Sequence, residues 1–314
     1  MEIPDLERFT GCLFGLAAGD ALGTAVEFKP PGSFAPVRDM AGGGPFGLEP
    51  GQWTDDTSMA LCLAESLVEC RGFDPADQMR RYVRWWRQGH LSSTGRCFDI
   101  GNTVHAALER FEKTGEPFSG PTGKHTAGNG SLMRLAPVPL YFAADPREAI
   151  KMSGESSRTT HGAPAAVDAC RFFAALIVGA LRRETKETLL AELYCPIPGI
   201  WDQRPLDPAV AAVASGSFQR KEPPALRGTG YVVDCLEAAL WGFHRGRTFE
   251  EGCLLAVNLG DDADTTGAVY GQLAGAYYGF QGIPKSWREK IALGKVIAAL
   301  AEKLCRQAYG GINH

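Results

Sequence analysis

The chain has 314 residues, 45% of them hydrophobic, with a net charge of −4 and a pI near 5.9. That supplies a full apolar core and gives no bulk positive charge with which to hold nucleic acid or an anionic membrane surface. Apolar residues recur at three- and four-residue spacing over 6–19, 57–70, 76–88, 103–113, 147–156, 164–181, 232–244, 249–258, 265–279 and 289–308, which predicts helices. Alternating β-branched runs are nearly absent, so the predicted fold is all-α. Pro and Gly cluster at 30–51, 115–130 and 195–230, which read as loops, the last with room for short helices. No internal repeat and no Gly/Ser linker is present, and 1–314 reads as one domain, expected to be a monomer.

Nine scattered cysteines without a C-x-x-C pair suggest reduced thiols and a cytoplasmic protein. The first residues, Met1-Glu2-Ile3-Pro4-Asp5, lack the basic and apolar regions of a signal peptide. The longest strongly apolar run, 172–181, is too short to span a bilayer.

Two glycine ladders stand out. Gly15, Gly19 and Gly23 are four apart, as are Gly267, Gly271, Gly275 and Gly279. On a helix this spacing makes a smooth ridge that permits close backbone approach. The flanks are too polar for a membrane dimer, so the ladders predict two central helices packed together. An acidic cluster at the start of 265–279 would then face the middle of the bundle.

That cluster is Asn258-Leu-Gly-Asp261-Asp262-Ala-Asp264-Thr265-Thr266-Gly267. A second, Thr54-Asp55-Asp56-Thr57, opens the helix pattern at 57–70. Taken singly, each could cap its helix, because Thr and Asp are favoured N-caps and acids suit a first turn. Each nevertheless has more carboxylates than a cap needs, with hydroxyl neighbours able to act as neutral oxygen ligands. Brought together, the two would form an oxygen-rich site for Mg²⁺ or Mn²⁺. Two ions sharing a carboxylate can bridge a water and lower its pKa. Zinc fits less well, since no His or Cys shares the clusters.

Elsewhere, Glu27 is a lone acid between Val26 and Phe28. Asn102, and Asn129 in Gly128-Asn129-Gly130-Ser131, each precede a helix pattern, where free N–H groups can meet an anion. His161 follows Thr159-Thr160 ahead of a long helix.

Together these strings resemble the ADP-ribosylglycohydrolases, most of all the dinitrogenase reductase-activating type. They are Gly15-Leu-Ala-Ala-Gly-Asp-Ala-Leu-Gly23 with Val26-Glu27-Phe28, Gly51-Gln-Trp-Thr-Asp-Asp-Thr57, and Asp99-Ile-Gly-Asn-Thr103. Gly128-Asn-Gly-Ser-Leu-Met-Arg134, Thr160-His161, Tyr231-Val-Val-Asp234 and the segment 258–267 complete the series, which covers nearly the whole chain. The resemblance implies a compact orthogonal multi-helix bundle with a dinuclear Mg²⁺ or Mn²⁺ centre. It implies that Thr54, Asp55, Asp56, Asp262, Asp264 and Thr265 hold the metals. Glu27 would lie by the bridging water or the ribose, and Asp99 on the ribose side of the cleft. Asn102, the loop Gly128, Asn129, Gly130 and Ser131, and His161 would contact ribose and phosphates, with Tyr231 flanking the nucleotide.

Three features depart from the family pattern. Asp261 stands where a glycine is common and would add charge at the metal mouth. Ala163 replaces a second histidine, and 195–228 does not align. The activity so implied is hydrolysis of the bond between ADP-ribose and a protein side chain, arginine first. The alternatives are O-linked ADP-ribose, a dimetal phosphohydrolase, or non-catalytic ADP-ribose binding.

Overall fold

The structure, a computed structural model, describes residues 6–310. Among them there is no strand, only helices and two isolated bridges. The first half contributes α1 (Leu6–Gly23), α2 (Asp55–Cys70), α3 (Pro75–Gln88), α4 (Asn102–Thr114), α5 (Pro137–Tyr141), α6 (Pro146–Arg158) and α7 (Pro164–Leu181). Four short helices follow within the weakly patterned stretch: α8 (Lys186–Leu189), α9 (Ile200–Gln203), α10 (Pro208–Ala214) and α11 (Ser217–Arg220). The last five are α12 (Val232–Arg245), α13 (Phe249–Val257), α14 (Ala263–Tyr278), α15 (Lys285–Lys290) and α16 (Gly294–Gly310).

The glycine ladders do what their spacing predicts. α1 and α14 run antiparallel, pairing Gly11 with Gly275, Gly15 with Gly271, Gly19 with Gly267 and Gly23 with Ala263. A Cβ added to Gly19 would fall inside the Gly267 carbonyl oxygen, so the two backbones touch. The ladder therefore reaches one turn further along α1 than expected, to Gly11. At the other end Gly279, with φ 75°, terminates α14.

Predicted 289–308 is two helices rather than one. Leu293 adopts φ 54°, and the 51–53 segment takes up the freed backbone groups. Ala292 N–H donates to Gly51 O at 2.9 Å, and Trp53 Nε1 donates to Ala292 O at 3.2 Å.

Two helical stretches, Leu6–Val26 and Pro164–Leu181, are long and apolar enough to cross a membrane, which the sequence expectation for 172–181 alone had missed. They are 89% and 83% buried within the protein, as befits core helices. Buried side chains form one large cluster around α1, α7 and α14, plus a small satellite at Ile150, Ala175 and Ile200.

Candidate active site

Because α1 and α14 are antiparallel, the C-terminal end of one lies beside the N-terminal end of the other. Asp20 and Glu27 are thereby brought to Asp262, Asp264 and Thr265. The N-terminus of α2 joins them through Asp20. Asp20 Oδ1 accepts hydrogen bonds from Thr54 N (2.9 Å) and Thr54 Oγ1 (3.0 Å), while Oδ2 accepts from Thr57 N (3.1 Å) and Thr57 Oγ1 (2.6 Å). The two acidic clusters are then cross-linked. Thr54 Oγ1 lies 3.3 Å from Asp264 Oδ2, and Thr265 Oγ1 donates to Asp56 Oδ1 at 3.4 Å.

Simple capping does not account for these acids. Thr54 and Asp262 occupy the N-cap positions of α2 and α14, yet neither side chain caps its own helix. Asp20, from α1, takes that role for α2. Asp262 Oδ2 instead accepts a hydrogen bond from Asn129 Nδ2 at 2.7 Å.

The acids form one side of a cleft of about 520 Å³. Six carboxylates line it, from Glu27, Asp55, Asp56, Asp99, Asp262 and Asp264, and no lysine or arginine does. Burial, then the Asp99 charge, pushes the Glu27 carboxyl up to about 9. Burial, followed by Asp20 and Asp262, pushes Asp99 up to about 7. Asp55, Asp56 and Asp264 are also held well above the usual carboxylate range, by burial first and neighbouring carboxylates second. Buried like charges cannot all ionise unless something positive joins them.

Three carboxylate oxygens in the cleft, Glu27 Oε2, Asp56 Oδ2 and Asp264 Oδ1, are buried without any hydrogen-bond partner. Buried acceptors left unsatisfied are costly and rare. Glu27, Asp99 and Asp264 also bring one carboxylate oxygen each to within 4.8 Å of one another. The donor set is entirely oxygen, which fits a hard divalent ion such as Mg²⁺ or Mn²⁺.

The facing wall is made of helix starts and loops. α4 opens at Asn102 with Gly101 as an N-cap that carries no side chain, and Asp99 ahead of it adopts φ 59°. The first residues of α4, Asn102, Thr103 and Val104, whose N–H groups precede the first intrahelical bond, line the cleft. Such a helix start attracts anions.

The 128–131 segment differs from expectation, because no helix starts there. Turns run from Gly130 to Arg134, and α5 begins only at Pro137. Pro137 has no N–H for the Met133 carbonyl, and buried Gln272 of α14 substitutes, donating to Met133 O at 2.7 Å and accepting from Ala136 N at 2.8 Å. The segment is laced instead to the start of α12, with Asn129 N donating to Gly230 O and Val232 N to Ala127 O.

His161 packs directly on this loop. A Cβ on Gly130 would lie 2.8 Å from His161 Cε1, so glycine is required there for the ring as much as for a ligand. Burial, then the Arg134 charge, pushes the His161 imidazole down to about 3, which keeps it neutral. Arg134 Nη2 donates to Thr160 Oγ1 at 2.7 Å. The Thr160 hydroxyl lies 2.9 Å from His161 Nδ1 and is left to donate to it. That assignment puts the ring proton on Nε2, beside Gly128.

Most of the expected site residues therefore converge. Glu27, Asp55, Asp56, Asp99, Asn102, Gly128, Asn129, Gly130, His161, Asp262, Asp264 and Thr265 all line the cleft. Thr54 lies just beneath it, fully buried. The Ser131 side chain turns into the interior, where its hydroxyl accepts from Ser157 Oγ at 2.8 Å. Tyr231 is 40% exposed and lines an adjoining groove, with Lys124, His125 and Thr126, that shares Thr103, Gly128 and Gly230 with the cleft. Asp261 adds no bare charge at the mouth, because its carboxylate is paired with Arg227 at 2.8 Å. Ala163 is fully buried at the N-cap of α7.

Asp20 and Arg134 had no role assigned from sequence. Each is a charge inside an apolar run, and each proves to be buried and to hold other site residues by hydrogen bonds. That placement was the available signal, since buried charges need a structural reason.

A sequence profile of the ADP-ribosylglycohydrolase family matches residues 1–312. The chain is 41% identical to an ADP-ribosylarginine hydrolase of Serratia proteamaculans and 44% identical to one of Pseudomonas putida. Each alignment spans 96% of this chain, and 80% and 79% of the two relatives. It is 33% identical to the ADP-ribosyl-[dinitrogen reductase] glycohydrolase of Rhodospirillum rubrum, over 91% of this chain and 90% of that one. A solved structure described as an ADP-ribosylglycohydrolase-related protein complex superposes with a TM-score of 0.85 at 48% identity, covering 97% of this chain and 99% of its own. An all-helical fold, an acid-lined cleft at the meeting of three helix ends, and these matches lead to one assignment: the chain belongs to the ADP-ribosylglycohydrolase family and is a glycohydrolase.

Proposed function

We propose that this protein is a divalent-metal-dependent hydrolase that removes ADP-ribose from modified arginine side chains. The observation that carries the metal reading is the set of three unpartnered, buried carboxylate oxygens in a cleft with six acids and no basic side chain. Arginine as the linkage is supported by the relatives named ADP-ribosylarginine hydrolase.

Thr54, Asp55, Asp56, Asp262, Asp264 and Thr265 would hold two Mg²⁺ or Mn²⁺ ions. When bound, these would supply charge neutralisation, a grip on ribose hydroxyls and an acidified water. The remaining roles belong to the chain. In the reaction, water adds its oxygen to C1″ of the ribose, and the bond from C1″ to the guanidine nitrogen breaks. Its electron pair leaves with that nitrogen, which takes up a proton, and the products are ADP-ribose and free arginine. Asp99 and Glu27, which both line the cleft, would move that proton. The N-terminus of α4 would offer its N–H groups to the pyrophosphate, with the Gly128–Gly130 loop alongside, which suits a cleft without cationic side chains. His161, neutral and protonated at Nε2, can donate to a ribose or phosphate oxygen without adding charge.

The same reading treats 1–314 as one domain and as a cytoplasmic monomer. It draws on nine free cysteines and on only five large apolar side chains exposed among the described residues. The test is to incubate the protein with arginine- and serine-ADP-ribosylated substrates, with and without EDTA, and measure free ADP-ribose. Release from arginine, blocked by EDTA and restored by Mg²⁺ or Mn²⁺, is the expected result. Release from serine alone would overturn the linkage, and EDTA-resistant release would overturn the metal requirement.

A further inference from the structure

We propose that Phe28 selects the arginine leaving group by stacking its ring on the guanidinium; the inference rests on the hydrolase reading above. Phe28 lines the cleft next to Glu27 and is 64% exposed, more than any other large apolar side chain among the described residues. Its backbone is held in the left-handed region, φ 61°, which a bulky residue rarely adopts. The loop cannot relax away easily. Phe28 N–H donates to Asp261 O at 2.7 Å, and Asp261 N–H donates to Lys29 O at 2.8 Å. Asp261 is itself anchored on Arg227.

The nearby Phe46, also partly exposed, packs its ring against Phe98 with centroids 5.2 Å apart. Among the described residues, no aromatic ring and no cationic group packs on Phe28. A large aromatic face is thus strained, pinned and bare at the mouth of an acidic cleft. Backbone strain of this kind clusters at active sites and ligand clamps.

The occupant follows from the chemistry. Once C1″ sits near Glu27 and Asp99, the leaving group must extend outward past them. An ADP-ribosylated guanidinium is flat and keeps its positive charge, so it can meet an aromatic face while the carboxylates lie beside it. A serine oxygen offers neither planarity nor charge. The contact lies beyond the ADP-ribose itself, so it should affect arginine-linked substrate and not the product.

The experiment uses the full chain with Mg²⁺ and compares Phe28→Leu and Phe28→Tyr with wild type. The readouts are kcat/KM on an ADP-ribosylarginine peptide, calorimetric Kd for free ADP-ribose, and melting temperature as a control for folding. Leucine keeps an apolar side chain and the same backbone strain but has no π face. Phe28→Leu should lower kcat/KM about tenfold with ADP-ribose affinity unchanged, and Phe28→Tyr should remain near wild type. The proposal is overturned if Phe28→Leu keeps wild-type kcat/KM, or if its ADP-ribose affinity falls in step with the rate. It is also overturned if Phe28→Tyr is as impaired as leucine. Failure of the underlying reading looks different, because wild type itself would then release no ADP-ribose from the arginine peptide.

Discussion

The acidic wall of the cleft stands on the ends of packed helices, whereas the wall facing it combines the start of α4 with loops held by a few backbone and side-chain hydrogen bonds. On the acidic side, Asp264 sits in the first turn of α14, locked to α1 by backbone contact, and Asp55 and Asp56 in the first turn of α2, tied to α1 through Asp20. On the other side, Gly130, Thr160 and His161 hold their places through Arg134, and Asn129 through Asp262. Groups that repel one another need a rigid mount, because any freedom would let them move apart. Groups that must fit a ligand need only a few directional bonds, and these can adjust. Substitutions on the two walls should therefore fail in different ways.

The largest effect is expected at the seam. Gly19→Val places side-chain atoms where the Gly267 backbone lies, and neither helix can retreat from a fully packed core. No cooperative melting transition should remain by circular dichroism. A folded Gly19→Val variant would mean that the acidic wall is not rigidly mounted.

Next come the acids themselves. Asp264→Ala should abolish turnover and lower Mn²⁺ occupancy measured by calorimetry. It should not unfold the protein, since one member of a repelling set has gone. In EDTA its melting temperature should equal or exceed that of wild type.

Asp99→Asn and Glu27→Gln separate chemistry from mounting. A positioned proton donor or acceptor is worth ~10²–10⁴-fold in rate. The loss should appear in kcat, with KM little changed, for whichever acid handles the proton. If both variants cleave at the wild-type rate, the proton passes through neither.

A pH series sharpens the contrast without any ligand. Glu27 has its folded value raised to about 9 from an ordinary 4.5. The folded state therefore binds the extra proton between those values, and stability must fall as pH rises through them. In EDTA the melting temperature should drop from pH 5 to pH 9, and Glu27→Gln should flatten that drop. His161 acts in the opposite sense at lower pH. Its folded value of about 3 lies below the ordinary 6.5, so its contribution is present above 6.5 and is lost as pH falls toward 3.

The smallest effect belongs to the loop wall. Thr160→Val removes the link between Arg134 and His161, a hydrogen bond to imidazole worth about 1 kcal/mol and one from the charged guanidinium worth about 2 kcal/mol. ADP-ribose affinity should weaken several-fold while metal affinity holds. A fall in metal affinity instead would show that the two walls are coupled.

Much of this was legible in the chain itself. Apolar periodicity determined the all-helical class and most helix positions, because burying one face of a helix demands that spacing whatever the neighbours are. The four-residue glycine ladders marked the central pair for the same reason, and the two acidic clusters at helix starts are the ones that the fold brings together in the cleft. What periodicity could not carry was every feature that depends on a distant partner. Only tertiary structure made Asp20 the cap of another helix and gave Asp261 to Arg227. It also broke the last helix at Leu293 and kept the 128–131 loop from becoming a helix start. Each was decided by a hydrogen bond or charge spanning dozens of residues, and such a bond leaves no local spacing to read. Phe28 belongs to the same class: no spacing in the sequence marks it, and only the fold brings it, exposed, to the cleft.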